Sequence, residues 1–263
     1  MSKIADRAIL VLSMFTLERP RLSVEELTRL SGLPVSTIYR FLQGLLKSDF
    51  LAKDGYSQTY RLGPAMLRLA RVAEAGLDFR SLAIPWMEKL WEKTGETIYL
   101  SVRLGDSWLV VENRERRGGI KFSIHPGDTG PLYAGSTGKV LLAYLKKNEL
   151  KKILDNARLV KITPKTVTNR KKLLNQLTEI WTRGYCYTEE EYNPGAWGLA
   201  APVFNSHGVI EAALTISGVL DKKSENRITG YLKLLLEATR DISKKLGFSN
   251  YVSGGHSLLA TRK

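Results

Sequence analysis

The chain has 263 residues, with 40 Lys+Arg against 26 Asp+Glu for a formal charge of +14, 43% hydrophobic residues and 25% charged residues. Those fractions belong to a globular protein and exclude a disordered or collagen-like chain. The single cysteine, Cys186, excludes an internal disulfide framework and any multi-cysteine zinc module, and His125, His207 and His256 are too widely spaced to suggest a metal cage.

No apolar run reaches the about 18 residues of a membrane span. The opening MSKIADRAIL lacks the long apolar core of a signal peptide. A cytoplasmic protein with no membrane partner is expected. Ile4, Ala8, Val11, Leu12 and Phe15 recur at helical spacing and predict a first helix with one buried face. Ser23-Val24-Glu25-Glu26 is a capping box that opens a second helix, with Val24, Leu27 and Leu30 inward. Gly32 ends it, and Pro34 suits the first position of a third helix that runs to about Lys47. There Val35, Ile38, Phe41, Leu42 and Leu45 form the apolar stripe. Two short strands then flank Asp54-Gly55, a hairpin turn signal.

Two helices joined by a tight turn and followed by a hairpin form a winged helix-turn-helix pattern over residues 1–63. In that arrangement the second helix of the pair enters the DNA major groove. Arg40 can bond a guanine edge or a phosphate; Ser36 and Thr37 can hold phosphates or touch a thymine methyl; Tyr39 and Gln43 flank them. Lys53 and Arg61 on the hairpin, and Arg7 on the first helix, are placed for phosphate contacts, which position without specifying sequence. The plain alternatives are an amphipathic helix with a solvated polar face and, for Arg40, a surface ion pair.

Pro64 opens a linker helix over 64–77. The effector-binding region is expected over 78–248 and a flexible Gly/Ser-rich tail over 249–263. Within 78–248, a helix at 81–94 precedes strands at 96–104, 108–115 and 120–125. Helices follow at GSTGKVLLAYL and 171–184, then strands at YCYTEEE, GLAAPVFN and VIEAALTIS, and a long helix over about 224–246. Strand hairpins mixed with helices give an α+β fold with a mainly antiparallel sheet.

Three segments carry a family resemblance. VSTIYRFLQGLLKSDFLAKDG (35–55), PLYAGSTGKVLLAYL (131–145) and RGYCYTEEEYNPGAWGLAAPVFNSHGVIEAALTISG (183–218) together resemble the IclR family of bacterial transcriptional regulators. The resemblance implies an N-terminal winged helix, a linker helix and a GAF-like effector domain, acting as a homodimer or tetramer on a palindromic operator in double-stranded DNA. It also implies a site for a small organic acid at Ser136, Thr137, Thr188, Gly198, Thr215 and Ser217, with Glu191 at a position where the family usually has Glu. Thr188 and Gly198 depart from relatives that carry an acid and a cysteine there. A helix N-terminus offers unpaired N–H groups to an anion, which fits the GST segment, and Thr215 and Ser217 share one face of a strand. Ser136 and Thr137 may equally serve as helix caps, and Thr215 and Ser217 as backbone-bonded core hydroxyls; Trp197 can line the pocket or pack, and Cys186 and His125 read as structural.

Within the family the chain resembles repressors of sugar-acid catabolism that sense 2-keto-3-deoxygluconate. Aromatic-acid or glyoxylate-type regulation stays open, as does an effector-independent DNA-binding protein. No cofactor, metal or catalytic residue is expected. GSTGK has part of a phosphate-loop pattern, but Tyr133 stands where Gly is needed and Val140 where Ser or Thr is needed. The charge does not track the reading helix. Residues 1–77 carry eleven cations against seven acids, whereas 144–172 carry ten against two. That stretch reads as a solvated surface, a trait of proteome composition, or an auxiliary DNA-facing patch.

Overall fold

A computed structural model describes residues 3–119, 122–221 and 224–249 and divides into two compact units, residues 1–77 and 78–263. The first unit contains α1 (Lys3–Ser13), α2 (Val24–Ser31), α3 (Val35–Lys47), β1 (Leu51–Lys53), β2 (Tyr60–Leu62) and α4 (Pro64–Ala75). Local signals place its helices. Ser23 Oγ accepts the Glu26 N–H at 3.2 Å while Glu26 accepts the Ser23 N–H at 2.8 Å. Gly32, with φ of 65°, takes the left-handed conformation that closes α2. Pro34 directly precedes α3, at its N-cap position.

Val11, Met14, Phe15, Leu22, Val24, Leu27, Ile38, Leu42, Leu51 and Tyr60 form the core of this unit. Ile4, Leu30 and Val35 stay exposed despite their apolar spacing. A core built from three short helices covers their central turns and leaves the first turn of α1 and the two ends facing the α2–α3 turn outside. Asp54-Gly55 does not form a two-residue turn. The loop spans Asp54 to Thr59, with the Asp54 carboxylate accepting the N–H groups of Tyr56 and Ser57 at 2.9 Å each. The positive φ falls on Gln58 instead, at 54°.

The second unit contains α5 (Asp78–Thr94), β3 (Thr97–Leu104), β4 (Ser107–Arg114), β5 (Thr129–Pro131), α6 (Gly135–Ala143), α7 (Lys147–Asn156), α8 (Arg170–Arg183), β6 (Cys186–Glu189), β7 (Ala196–Phe204), β8 (Ile210–Val219) and α9 (Ser224–Lys245). Its sheet has the order β5-β4-β3-β8-β7-β6, antiparallel throughout. α6 packs on one face with α8 beside it, and α5 and α9 cover the other. This is an α+β architecture.

The strand expected over 120–125 is absent at 122–125, and 120–121 lie outside the described residues. Asn113 Nδ2 donates to the Ile124 carbonyl at 2.6 Å and Asp128 receives the His125 N–H at 2.7 Å, which ties this segment into a turn. Gly127 and Asp128 bond the backbone of Val110 instead, and pairing with β4 continues at Thr129–Pro131. The expected tail beyond 249 lies outside the described residues. Just before it, Phe248 is buried against Phe204, with ring centroids 5.1 Å apart.

Leu27 is fully buried, so Leu27→Ala should cost about 2–5 kcal/mol of stability in the first unit. Exposed Val35→Ala should stay within about 0.5 kcal/mol. Urea unfolding followed by far-UV circular dichroism checks both, and a Leu27→Ala protein as stable as the parent would contradict the packing described.

Candidate functional site

On α3, Ile38, Phe41 and Leu42 are buried, which turns Ser36, Arg40 and Gln43 outward along one exposed edge with Tyr39 beside them; Thr37 is half-buried. No side chain caps the N-terminus of α3, so its first N–H groups remain open. Among the described residues Arg40 has no acidic partner, and its guanidinium carbon lies 5.8 Å from the Phe41 ring centre. The surface-ion-pair alternative for Arg40 therefore finds no support. Lys53 on β1, Arg61 on β2 and Arg7 on α1 are exposed, with the Lys53 ammonium 5.8 Å from the Tyr60 ring centre.

In the second unit the register sets two cross-strand rows on the sheet face that carries α6. Thr188, Gly198, Ser217 and Thr97 lie across one row; Cys186, Ala200, Thr215 and Tyr99 lie across the next. Over them sits the N-terminus of α6, which opens at Gly135 with φ of 77°. The hydroxyl of Thr137 lies 2.9 Å from that of Thr215 and 3.0 Å from the Tyr99 phenol. A Cβ added at Gly198 would stand 2.6 Å from Ser136 Oγ and 3.9 Å from Thr188 Oγ1. Gly198 thus contributes missing volume, which Ser136 fills. Ser136, Thr137 and Thr215 are buried, whereas Thr188, Gly198 and Ser217 are half-buried. All seven residues expected for the acid site converge here, because Glu191 Oε2 also accepts the Gly135 N–H at 3.4 Å.

The sequence reading missed two neighbours. Lys139 is 1% exposed; its ammonium bonds both oxygens of Glu191, with Oε1 at 2.6 Å, and Gln176 Oε1 at 2.9 Å. A buried ammonium is tolerated only when paired and fully bonded, and these three acceptors match its three donors. The signal for it was available: Lys139 interrupts a run, GKVLLA, that is otherwise apolar on every side. Tyr99, the second, lies in β3, where Thr97–Ser101 are buried without alternation, so nothing in the pattern marked it. Burial holds the Tyr99 phenol above its ordinary pKa. A cavity of about 500 Å³ opens beside the ion pair, lined in part by Lys172, Gln176, Glu189 and Glu191.

The remaining expectations resolve as packing. Trp197 points to the opposite sheet face, donates to the Val219 carbonyl at 3.2 Å and stacks on Tyr231. Burial pushes the Cys186 thiol up to about 12, which makes it a poor nucleophile. His125 is exposed beside Glu115. All ten cations of 144–172 are exposed; Lys165 pairs with Glu190 and Arg170 with Asp155. Among the described residues, no group of three or more His, Cys, Asp or Glu could hold a metal, and no helix is long and apolar enough to cross a membrane.

Two family models match the chain: the C-terminal domain of bacterial transcriptional regulator IclR over residues 73–244, and the IclR helix-turn-helix domain over residues 5–55. The HTH-type regulator KdgR of Escherichia coli is 32% identical over 89% of this chain and 89% of its own. The HTH-type regulator KipR of Bacillus subtilis is 28% identical over 94% of this chain and 98% of its own. The crystal structure of an IclR homolog from Microbacterium hydrocarbonoxydans in complex with 4-hydroxybenzoate is 26% identical, with a TM-score of 0.80, and covers 93% of this chain and 99% of that one.

Removing Lys139 strands the Glu191 carboxylate in the interior. Lys139→Met should therefore destabilise the second unit by about 3–5 kcal/mol, and adding Glu191→Leu should restore part of the loss. Chemical denaturation of the single and double variants checks this. A single variant as stable as the parent would show that the pair is dispensable.

Proposed function

Because the chain belongs to the IclR family of bacterial transcriptional regulators, we propose that it is a DNA-binding regulator whose operator affinity is set by a small organic acid held between α6 and the sheet. The related proteins are transcriptional regulators and not enzymes. The observation that carries the reading is the convergence of neutral hydroxyl donors on the N-terminus of α6, a helix end that favours anions. On this reading residues 1–63 bind DNA, 64–77 link, and 78–248 sense the acid. Ser36, Thr37, Tyr39, Arg40 and Gln43 face the major groove, while Arg7, Lys53 and Arg61 contact phosphates.

The effector we favour is 2-keto-3-deoxygluconate, with repression of a sugar-acid operon as the output, on the strength of the similarity to KdgR. A second reading, an aromatic acid, is favoured by the relative bound to 4-hydroxybenzoate. A palindromic operator requires a homodimer, or a tetramer built from two. The exposed Ile4 and Ile9 of α1 and Leu67 and Val72 of α4 are apolar surface that a partner subunit would cover. Half-sites about 34–36 Å apart or a multiple of that fix the required spacing of two reading helices. An acid that prefers one geometry of the effector domain shifts operator affinity by its differential binding free energy.

Arg40→Ala should weaken operator binding at least tenfold in a gel shift while leaving thermal stability unchanged; equal affinity would remove Arg40 from its role. All five tryptophans lie between residues 86 and 197, so acids can be titrated by intrinsic fluorescence. A panel of 2-keto-3-deoxygluconate, pyruvate, glyoxylate and 4-hydroxybenzoate should contain a ligand whose effect is abolished by Thr215→Val with Ser217→Ala. A response that survives both changes would move the site elsewhere.

A further inference from the structure

The hydroxyls of Tyr99, Thr137 and Thr215 form a chain in which Thr137 Oγ1 is the middle member, 3.0 Å from one neighbour and 2.9 Å from the other. Three hydroxyls own three protons, and two contacts use two of them. Whichever way the bonds run, one O–H leaves the chain with no acceptor among the described residues. All three side chains are more than nine-tenths buried, Tyr99 at 9%, Thr137 at 4% and Thr215 at 0% exposure. Folded proteins rarely leave a buried donor unpaired, because its lost hydration goes uncompensated. The spare proton therefore marks a place for an acceptor that arrives from outside the chain.

The chemistry of the three groups says where that proton points. A phenol is a stronger donor than an aliphatic hydroxyl, and Tyr99 is the least buried of the three. The run Thr215 to Thr137 to Tyr99 puts the strongest donor at the outward end. Lys139, the cation on the same helix, is already committed to Glu191 and Gln176. An anion at this place is thus met by neutral donors and the end of α6, without a free cation of that helix.

We propose that Tyr99 is a specificity-determining residue of the effector site, donating its hydroxyl proton to a carboxylate oxygen of the bound acid while Thr137 and Thr215 hold it in position. This rests on the effector reading given above. It adds that the acid is chosen over its neutral analogue by a phenol. Burial raises the Tyr99 pKa, so the proton is present throughout the neutral range.

The test is Tyr99→Phe in the full chain, which removes the hydroxyl and keeps the ring. Calorimetry is run with 2-keto-3-deoxygluconate and with 4-hydroxybenzoate, each beside its carboxamide. The wild-type chain should prefer the carboxylate, and Tyr99→Phe should cut that preference at least tenfold. A change that merely loosened the fold would weaken acid and amide alike and leave their ratio intact, so an unchanged ratio overturns the inference even if the variant is less stable. If neither acid binds the wild-type chain, the effector reading fails for these acids and the role of Tyr99 falls with it. If an acid binds and the ratio holds, only Tyr99 is wrong.

Discussion

The sensing unit is organised around a lysine that cannot be left alone. Lys139 lies inside α6 with almost no exposure, and a buried ammonium without a counter-charge is too costly to persist. Glu191 therefore has to reach it, which fixes the loop that follows β6. That loop is clamped from behind as well. Thr163 donates its hydroxyl to the Glu190 carbonyl at 2.6 Å and Thr166 to the Glu191 carbonyl at 2.8 Å. Glu190 takes a left-handed φ of 54°, and its carboxylate receives the Gly195 N–H at 2.9 Å. One buried charge thus links the start of α6, the loop after β6, the segment before α8 and, through Gln176, α8 itself. An acid at the start of α6 would share the Gly135 N–H with Glu191, so its binding is coupled to the loop.

Close approach of α6 to the sheet is the second condition, and glycine supplies it twice. A Cβ on Gly138 would lie 2.6 Å from the Leu132 carbonyl oxygen, and one on Gly198 would meet Ser136 at the same distance. Without side chains at these positions α6 sits low enough for Thr137 to touch both Thr215 and Tyr99. The hydroxyl cluster is a consequence of that approach.

Much of this was legible in the sequence where the signal is local. The capping box at Ser23, the left-handed Gly32 and the alternating polar and apolar sides of α3 all act within a few residues, and they place the reading helix directly. Strand order and cross-strand rows are not local, yet Thr215 and Ser217 could be put on one face because the strand period is two. Errors arose where tertiary pairing overrode the pattern. IKFSIH alternates like a strand, but side-chain bonds from Asn113 and Asp128 hold its second half in a turn while Gly127–Pro131 takes the ladder. Ile4 and Val35 keep helical spacing at places the small core does not reach. Tyr99 escaped notice because β3 is buried on both faces, and Lys139 because a lysine beside glycines suggested a phosphate loop.

The overall charge looks like a DNA footprint, but it is concentrated on α7 and the start of α8, where the cations are exposed. Such charge favours salt-sensitive attraction to any duplex. Regulation requires more, a coupling between acid and operator, and coupling is reciprocal. The decisive measurement is therefore a linked pair on the full chain: operator affinity with and without saturating acid, and acid affinity with and without saturating operator. The account predicts the same factor, at least fivefold, in both directions. An acid that binds with the same affinity to the free and the operator-bound protein would contradict it.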